Sequence, residues 1–337
     1  MNQRWLPSSF IVLLLPLLAF SAAAQQPTAP PLPGPLPLKL EGAAGFSWSI
    51  ERAFAAHNLK GEAFAYVSFS PDGKTLATAA SDGSARLWTL TGEPLARVEN
   101  GNMVFKVRFH PSGDRFITAV YSGSAKLWDR NGKLLHEYLG HRSAVTDALF
   151  LSGDEIATGS DDGSVILFDA TGKQIAAVTQ QGVARNQAVS PDAKFIACAF
   201  DSGEVRVVDH SGRVQHEFSS GQGRINDIRF SPDGAKLLTS GFDGTARLWT
   251  KDGNPLVELA AGDGDWVYSA QFSRDGALIG TVSGTGLVML WTAEGKPLAQ
   301  YRSPNGRVNS IDFSPTEDRF ATIDHNGTLL LFTYHRN

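Results

Sequence analysis

Residues 81–92 read Ser-Asp-Gly-Ser-Ala-Arg-Leu-Trp-Thr-Leu-Thr-Gly: a glycine at 83, a short alternating run that ends on Trp88, and a second glycine at 92. The same frame returns along the whole chain. Its closing position falls on Trp88, Trp128, Phe168, Val208, Trp249, Trp291 and Phe332, at spacings of 40, 40, 40, 41, 42 and 41 residues. Five residues before each stands a glycine: Gly83, Gly123, Gly163, Gly203, Gly244, Gly286 and Gly327. Behind the run come the pairs Thr91-Gly92, Asn131-Gly132, Thr171-Gly172, Ser211-Gly212, Asp252-Gly253 and Glu294-Gly295. Alternation with period two is the pattern of a half-buried strand. A pair ending in glycine between two such runs predicts a two-residue hairpin turn, whose central positions need positive φ.

Upstream of each run another strand ends on phenylalanine or its equivalent, often followed by Ser-Pro-Asp-Gly, as at Phe69-Ser70-Pro71-Asp72-Gly73 and Phe230-Ser231-Pro232-Asp233-Gly234. Each unit therefore reads as four strands joined by turns. Self-similarity at this period is the signature of a β-propeller, in which a repeat forms one four-stranded blade and buries its faces only by stacking on its neighbours. An all-β, seven-bladed ring is predicted. Over roughly residues 47 to 333 these motifs resemble the WD40 repeat family. The family's Trp-Asp ending stands in full at Trp128-Asp129; Phe168-Asp169 and Val208-Asp209 keep the Asp, while Trp88, Trp249 and Trp291 are followed by Thr. A Gly-His opening survives at Gly140-His141 alone. The resemblance implies, in many blades, a hydrogen-bonded group of His, Asp, Ser/Thr and Trp. With one Gly-His pair, this chain is expected mostly to lack it and to depend on packing and turn chemistry.

The last repeat supplies three strands, around Val308–Phe313, Arg319–Ile323 and Thr328–Thr333, and Trp48–Ala55 ahead of the first repeat alternates as the fourth strands do. The N-terminal strand is thus expected to complete the last blade and remove two open sheet edges. Residues 1–24 read as a signal peptide: Arg4, an apolar core over 10–20, then Ala22-Ala23-Ala24, the small-residue pattern of a cleavage site. The core is too short and too broken by proline for a membrane span. An exported product, periplasmic or secreted, is expected. Residues 25–41, with six prolines between Pro27 and Pro37, read as an extended linker, and 42–337 as the propeller.

Composition narrows the function. The net charge of −4 is the wrong sign for nucleic-acid binding. A single cysteine, Cys198, excludes an intramolecular disulfide and reads as a buried small hydrophobe. There is no nucleophile elbow, P-loop, Cys-x-x-Cys or dinucleotide fingerprint. His136-Glu137-Tyr138-Leu139-Gly140-His141 has one residue too many for a zinc-helix motif and falls on a strand, and Gly262-Asp263-Gly264-Asp265 offers too few oxygens for calcium. No enzyme activity, cofactor or metal is expected.

Binding remains. The family resemblance assigns the top face repeat by repeat, two positions near the start of each first strand and one before the second-to-third-strand turn. In blade one these are Ala63, Ala65 and Ser81; in blade two, Met103, Phe105 and Tyr121; in blade three, Ala144, Thr146 and Asp161; in blade four, Val183, Arg185 and Asp201; in blade five, Arg224, Asn226 and Phe242; in blade six, Trp266, Tyr268 and Gly284; in blade seven, Arg307, Asn309 and His325. Aromatic and arginine side chains most often carry interface energy. The expected function is a non-catalytic protein-interaction scaffold, a monomeric propeller whose three arginines favour an acidic protein or peptide. A glycan or small ligand at the mouth of the central channel is the alternative, with Trp266, Tyr268 and Tyr121 as stacking platforms.

Overall fold

In the computed structural model, which describes residues 41–336 apart from 44, 62, 180 and 181, the stretch around Trp88 is the third strand of an antiparallel sheet. Ala65–Phe69, Thr75–Ala80, Ser84–Thr89 and Pro94–Glu99 lie side by side in chain order. Residues 104–138, 145–179, 184–219, 225–260 and 267–302 repeat this pattern, giving blades two to six. The seventh blade takes Val308–Phe313, Arg319–Asp324 and Thr328–Arg336, and its outermost strand is Phe46–Ala55. Trp48 pairs with Tyr334 and Ile50 with Phe332, so the ring closes as the alternation predicted. Glu41, assigned above to the linker, pairs with Gln300, and Glu41–Gly42 forms a fifth strand on the outer edge of blade six. The stretch expected to be a signal peptide, and nearly all of the proline-rich segment, lie outside the described residues. Among the described residues no helix is long and apolar enough to cross a membrane.

Burial follows position within the blade. The second strand of blade one, Thr75–Ala80, is buried at every residue, because both of its faces meet neighbouring blades. An outer strand such as Gln174–Thr179 is mostly exposed. Seven apolar clusters fill the spaces between blades. At the seam Trp48 stacks on Phe332 and Phe320, with ring centroids 5.5 and 5.9 Å away, and Phe54 meets Trp88 at 5.4 Å. Cys198 is fully buried in this packing, and burial pushes its thiol up to about 12. The seven glycines before the third strands hold φ between +81° and +91°. A side chain is strained there, and at Gly203 a Cβ would also sit 2.7 Å from the Gly223 carbonyl oxygen.

One expectation is corrected and a second refined. The turns at Thr91-Gly92 and its equivalents are not two-residue hairpins, for only the glycine has positive φ. Thr89 N–H donates to Glu93 O and Gly92 N–H to Thr89 O, with a register shift at Leu87/Trp88. Where the family's Asp follows, its carboxylate organises the loop: Asp129 Oδ1 accepts from Asn131 and Lys133 N–H. The His-Asp-Thr-Trp group, second, stands in full in blade one alone among the described residues, as expected, yet parts of it persist more widely than the single Gly-His pair suggested. In blade one Trp88 Nε1 donates to Thr78 Oγ1 at 2.9 Å, His57 Nε2 lies 2.9 Å from the same oxygen, and His57 Nδ1 is 3.0 Å from Asp82. Blades two, five and six keep the Trp-to-Thr bond, from Trp128 to Thr118, Trp249 to Thr239 and Trp291 to Thr281. Asn100 and Gln222 replace the histidine in two of them, each accepting from the threonine. An amide oxygen does what the imidazole nitrogen does, and no Gly-His pair announces it.

Candidate functional site

The first strand of every blade lines the channel, and in blades two to seven it opens with a bulge. Between Val104 and Lys106 the register skips Phe105; the same skip falls on Thr146, Arg185, Asn226, Tyr268 and Asn309. A bulge leaves one residue out of the ladder and re-aims its side chain. These six residues line one cavity at the mouth of the channel, together with Phe64, Tyr66, Lys106, Arg224 and Ser269. The cavity is a cup of about 180 Å³. Blade one has no bulge, so its assignment slips by one: Ser81 N–H donates to Phe64 O, and Phe64, not the buried Ala63 and Ala65, reaches the mouth.

Of the residues expected on this face, Phe105, Arg185, Arg224 and Tyr268 line the cup itself. Tyr121 and Trp266 stand at its rim, 50% and 40% exposed. The rim has two aromatic groups. Phe64, Phe105 and Tyr121 form one, with centroids about 6 Å apart along the row. In the other, Phe242 and Trp266 stack face to face at 3.7 Å and 8°, and Trp266 meets Tyr268 at 6.0 Å. Phe242 is thus a backing for Trp266, and the arginines back the aromatics: Arg224 lies 4.5 Å from the Phe242 ring and Arg307 5.5 Å from that of Tyr268. Arg307 also donates to Ala63 O across the seam between blades seven and one. Arg185 pairs with Asp161 at 3.5 Å. Met103 and His325 do not line the cup; Met103 O accepts from Tyr121 N–H, and His325 is held against Arg307 O.

The floor of the cup was not foreseen. Asp147 on blade three is wholly buried and accepts from Arg108 through both oxygens, at 3.1 and 3.0 Å, and from Gln187 N–H at 3.0 Å. Asp227 on blade five pairs with Arg229 at 2.7 Å and accepts from Ser269 Oγ. Between the two carboxylates, 3.6 and 3.9 Å away, sits the Lys106 ammonium. Burial pulls the Lys106 pKa down to about 8 although both carboxylates oppose this, and the adjacent guanidinium holds Asp147 below the ordinary carboxylate range against its burial. Towards the other mouth Asp312 accepts from Phe69 N–H at 2.7 Å, and burial pushes it up to about 6. A signal for this floor did exist. Lys106, Asp147, Asn186, Asp227 and Ser269 hold one position of successive first strands, where an apolar core would have no use for them.

Residues 50–89, 92–129, 132–169, 212–250 and 295–333 match the WD domain, G-beta repeat family. The unmatched stretches include Val208, where the repeat wants an aromatic, and the Gly-rich Ser283-Gly284-Thr285-Gly286. Two proteins of Synechocystis sp. are similar: the WD repeat-containing protein slr1409, 51% identical over 122 residues, and the uncharacterized WD repeat-containing protein slr1410, 41% identical over 121. Each match covers 36% of this chain and 37% or 36% of the relative, so the chain spans about a third of the length of the curated relatives it matches. With more than half its residues matched and a ring of seven blades closed by Phe46–Ala55, the chain belongs to the WD40, or G-beta, repeat family.

Proposed function

We propose that this propeller is a non-catalytic scaffold outside the cytoplasm that holds a protein or peptide, with acidic groups, on the bulged mouth of its channel. WD40 propellers are in general protein-interaction scaffolds. The observation that carries the finer reading is the Phe242–Trp266 stack: a large aromatic left 40% exposed yet held rigid from behind. Such a side chain offers contact area at little entropic cost, which is the character of an interface anchor. Beside it the Arg224 guanidinium has no hydrogen-bond or ion-pair partner among the described residues. An acidic partner supplies one.

The test is selection of a random displayed peptide library on the purified protein, beside a Trp266→Ala/Arg224→Ala variant whose circular dichroism is unchanged. Enrichment of acidic sequences on the wild type that is lost on the variant supports the reading; enrichment equal on both moves the interface elsewhere. The glycan alternative rests on the exposed rings of Tyr121 and Trp266 and predicts that Trp266→Ala alone abolishes binding, with no contribution from Arg224. Export is tested separately, by fractionating cells that express the full chain and by sequencing the N-terminus of the product. A protein retained in the cytoplasm with residues 1–24 intact overturns that part.

A further inference from the structure

We infer that the cup beneath the rim is a carboxylate pocket, which receives one Glu or Asp side chain of the bound polypeptide and reads its charge with Arg224, Lys106 and Asn309. In choosing a side chain as the occupant, this rests on the reading of the top face as a peptide-binding surface. Size comes first. Cavities of roughly 150 Å³ admit a benzene-sized group, and drug-sized ligands need roughly 300 Å³ or more. At about 180 Å³ the cup suits a single side chain.

Charge selects which one. Arg224 and Arg185 both line the cup, and the like charge of Arg185 adds to burial in lowering the Arg224 pKa. Arg185 already has Asp161 beside it, so the guanidinium that gains most from an added anion is that of Arg224. Lys106, 6% exposed, also lines the cup, as does Asp227, so three cations face one carboxylate there; the two carboxylates nearest the Lys106 ammonium stand beyond hydrogen-bond distance at 3.6 and 3.9 Å. Its three donors are therefore incompletely used.

The independent observation is Asn309. It is 2% exposed, it is the bulge residue of blade seven, and neither its Oδ1 nor its Nδ2 has a hydrogen-bond partner among the described residues. Its counterparts Thr146 and Asn226 donate to backbone carbonyls of the next blade, Ala184 O and Val267 O. An unpaired buried amide costs stability, and a carboxylate accepting from its Nδ2 would remove part of that cost. The walls, Phe64, Phe105 and Tyr268, are apolar or aromatic and suit the methylenes of glutamate.

Two pairs of probes test this on the full chain by calorimetric titration: butyrate against butyramide, equal in shape and different in charge, and an acidic peptide from the library selection against the same peptide with each Glu and Asp changed to the amide in turn. Butyrate should bind and butyramide should not, and one substitution should weaken the peptide at least tenfold. Arg224→Met, which breaks no hydrogen bond or ion pair among the described residues, and Asn309→Leu should each erase that difference. Were the amide peptides to bind as tightly as the acidic one, with Trp266→Ala abolishing both, the pocket would be wrong and the peptide-binding face right. Butyrate binding that is lost in Arg224→Met, with no peptide binding at all, keeps the pocket and overturns the peptide reading, making a free small carboxylate the occupant. No preference for butyrate and none for any acidic residue overturns the pocket outright.

Discussion

Tyr66 on blade one and Arg229 on blade five meet across the channel, Arg229 Nη2 donating to the Tyr66 hydroxyl at 2.9 Å. Two side chains 163 residues apart thus bridge the ring internally, over a floor already held by Asp147 and Asp227. Tyr66→Phe removes one neutral acceptor while Arg229 keeps Asp227 and Ile228 O, so it should cost about 1 kcal/mol. Asp147→Ala strands Arg108 and Lys106 in the interior and should cost about 3–5 kcal/mol. Urea denaturation of both variants checks the contrast; equal costs would mean that the floor is wetter than its burial implies.

The seam should be as sensitive to a single truncation as the floor. Trp48 is 7% exposed and packs on two phenylalanines of the strands it joins. Trp48→Ala is expected to cost about 3–5 kcal/mol, read as a lowered thermal midpoint. Deletion of residues 46–55 bares the edge of Thr328–Arg336 and should abolish cooperative melting.

Acid should weaken the protein through blade one. Burial lowers the His57 pKa, so the folded state binds its proton less readily than the unfolded chain, whose histidine titrates near 6.5. As pH falls below about 6.5 the unfolded state takes up a proton that the folded state refuses, and stability drops. Gln222 fills the histidine position in blade five. His57→Gln should therefore fold, and should show a shallower loss of stability between pH 7 and 5; His141, also lowered by burial, leaves a residual slope. An unchanged slope in denaturation curves would refute the assignment.

Asp312 works in the opposite sense. With its folded pKa near 6 against about 3.9 unfolded, the folded state holds the proton more tightly, and stability is lost as pH rises through 6. The groups around it are Phe69 N–H, Gln271, Arg108, Arg229 and Asp227. Asp312→Asn keeps an oxygen for Phe69 N–H and should stabilise by about 1 kcal/mol at pH 7.5, with the gain vanishing towards pH 4. Thermal midpoints across that range decide it.

The repeat was legible because Trp88 and its six counterparts, each with a glycine behind it, impose a period no other fold needs. The closing strand was legible for the same reason, since Trp48–Ala55 alternates like a fourth strand with no partner nearby. The family-based positions found Phe105, Arg185, Arg224 and Tyr268 in the cup but missed Phe64, because a bulge shifts six blades and spares the first. Asn100 and Gln222 were missed because an amide carries no motif, and their role exists only once Thr118 and Thr239 are brought against them. The charged floor joins residues from blades that are not adjacent, such as Lys106 and Asp227, and local sequence holds no sign of which blades face each other across a ring.

The pairing of Phe46–Ala55 with Thr328–Arg336 also governs the order of events on the ribosome. Ser49 and Thr333 share a hydrogen bond across 284 residues, so the first ring strand to emerge must wait for nearly the last. Until then the nascent chain is an open arc with a bare edge at each end, the state most exposed to mispairing with another chain. Residues 328–336 must therefore emerge before the ring can close, and a chain interrupted ahead of them keeps its edges bare.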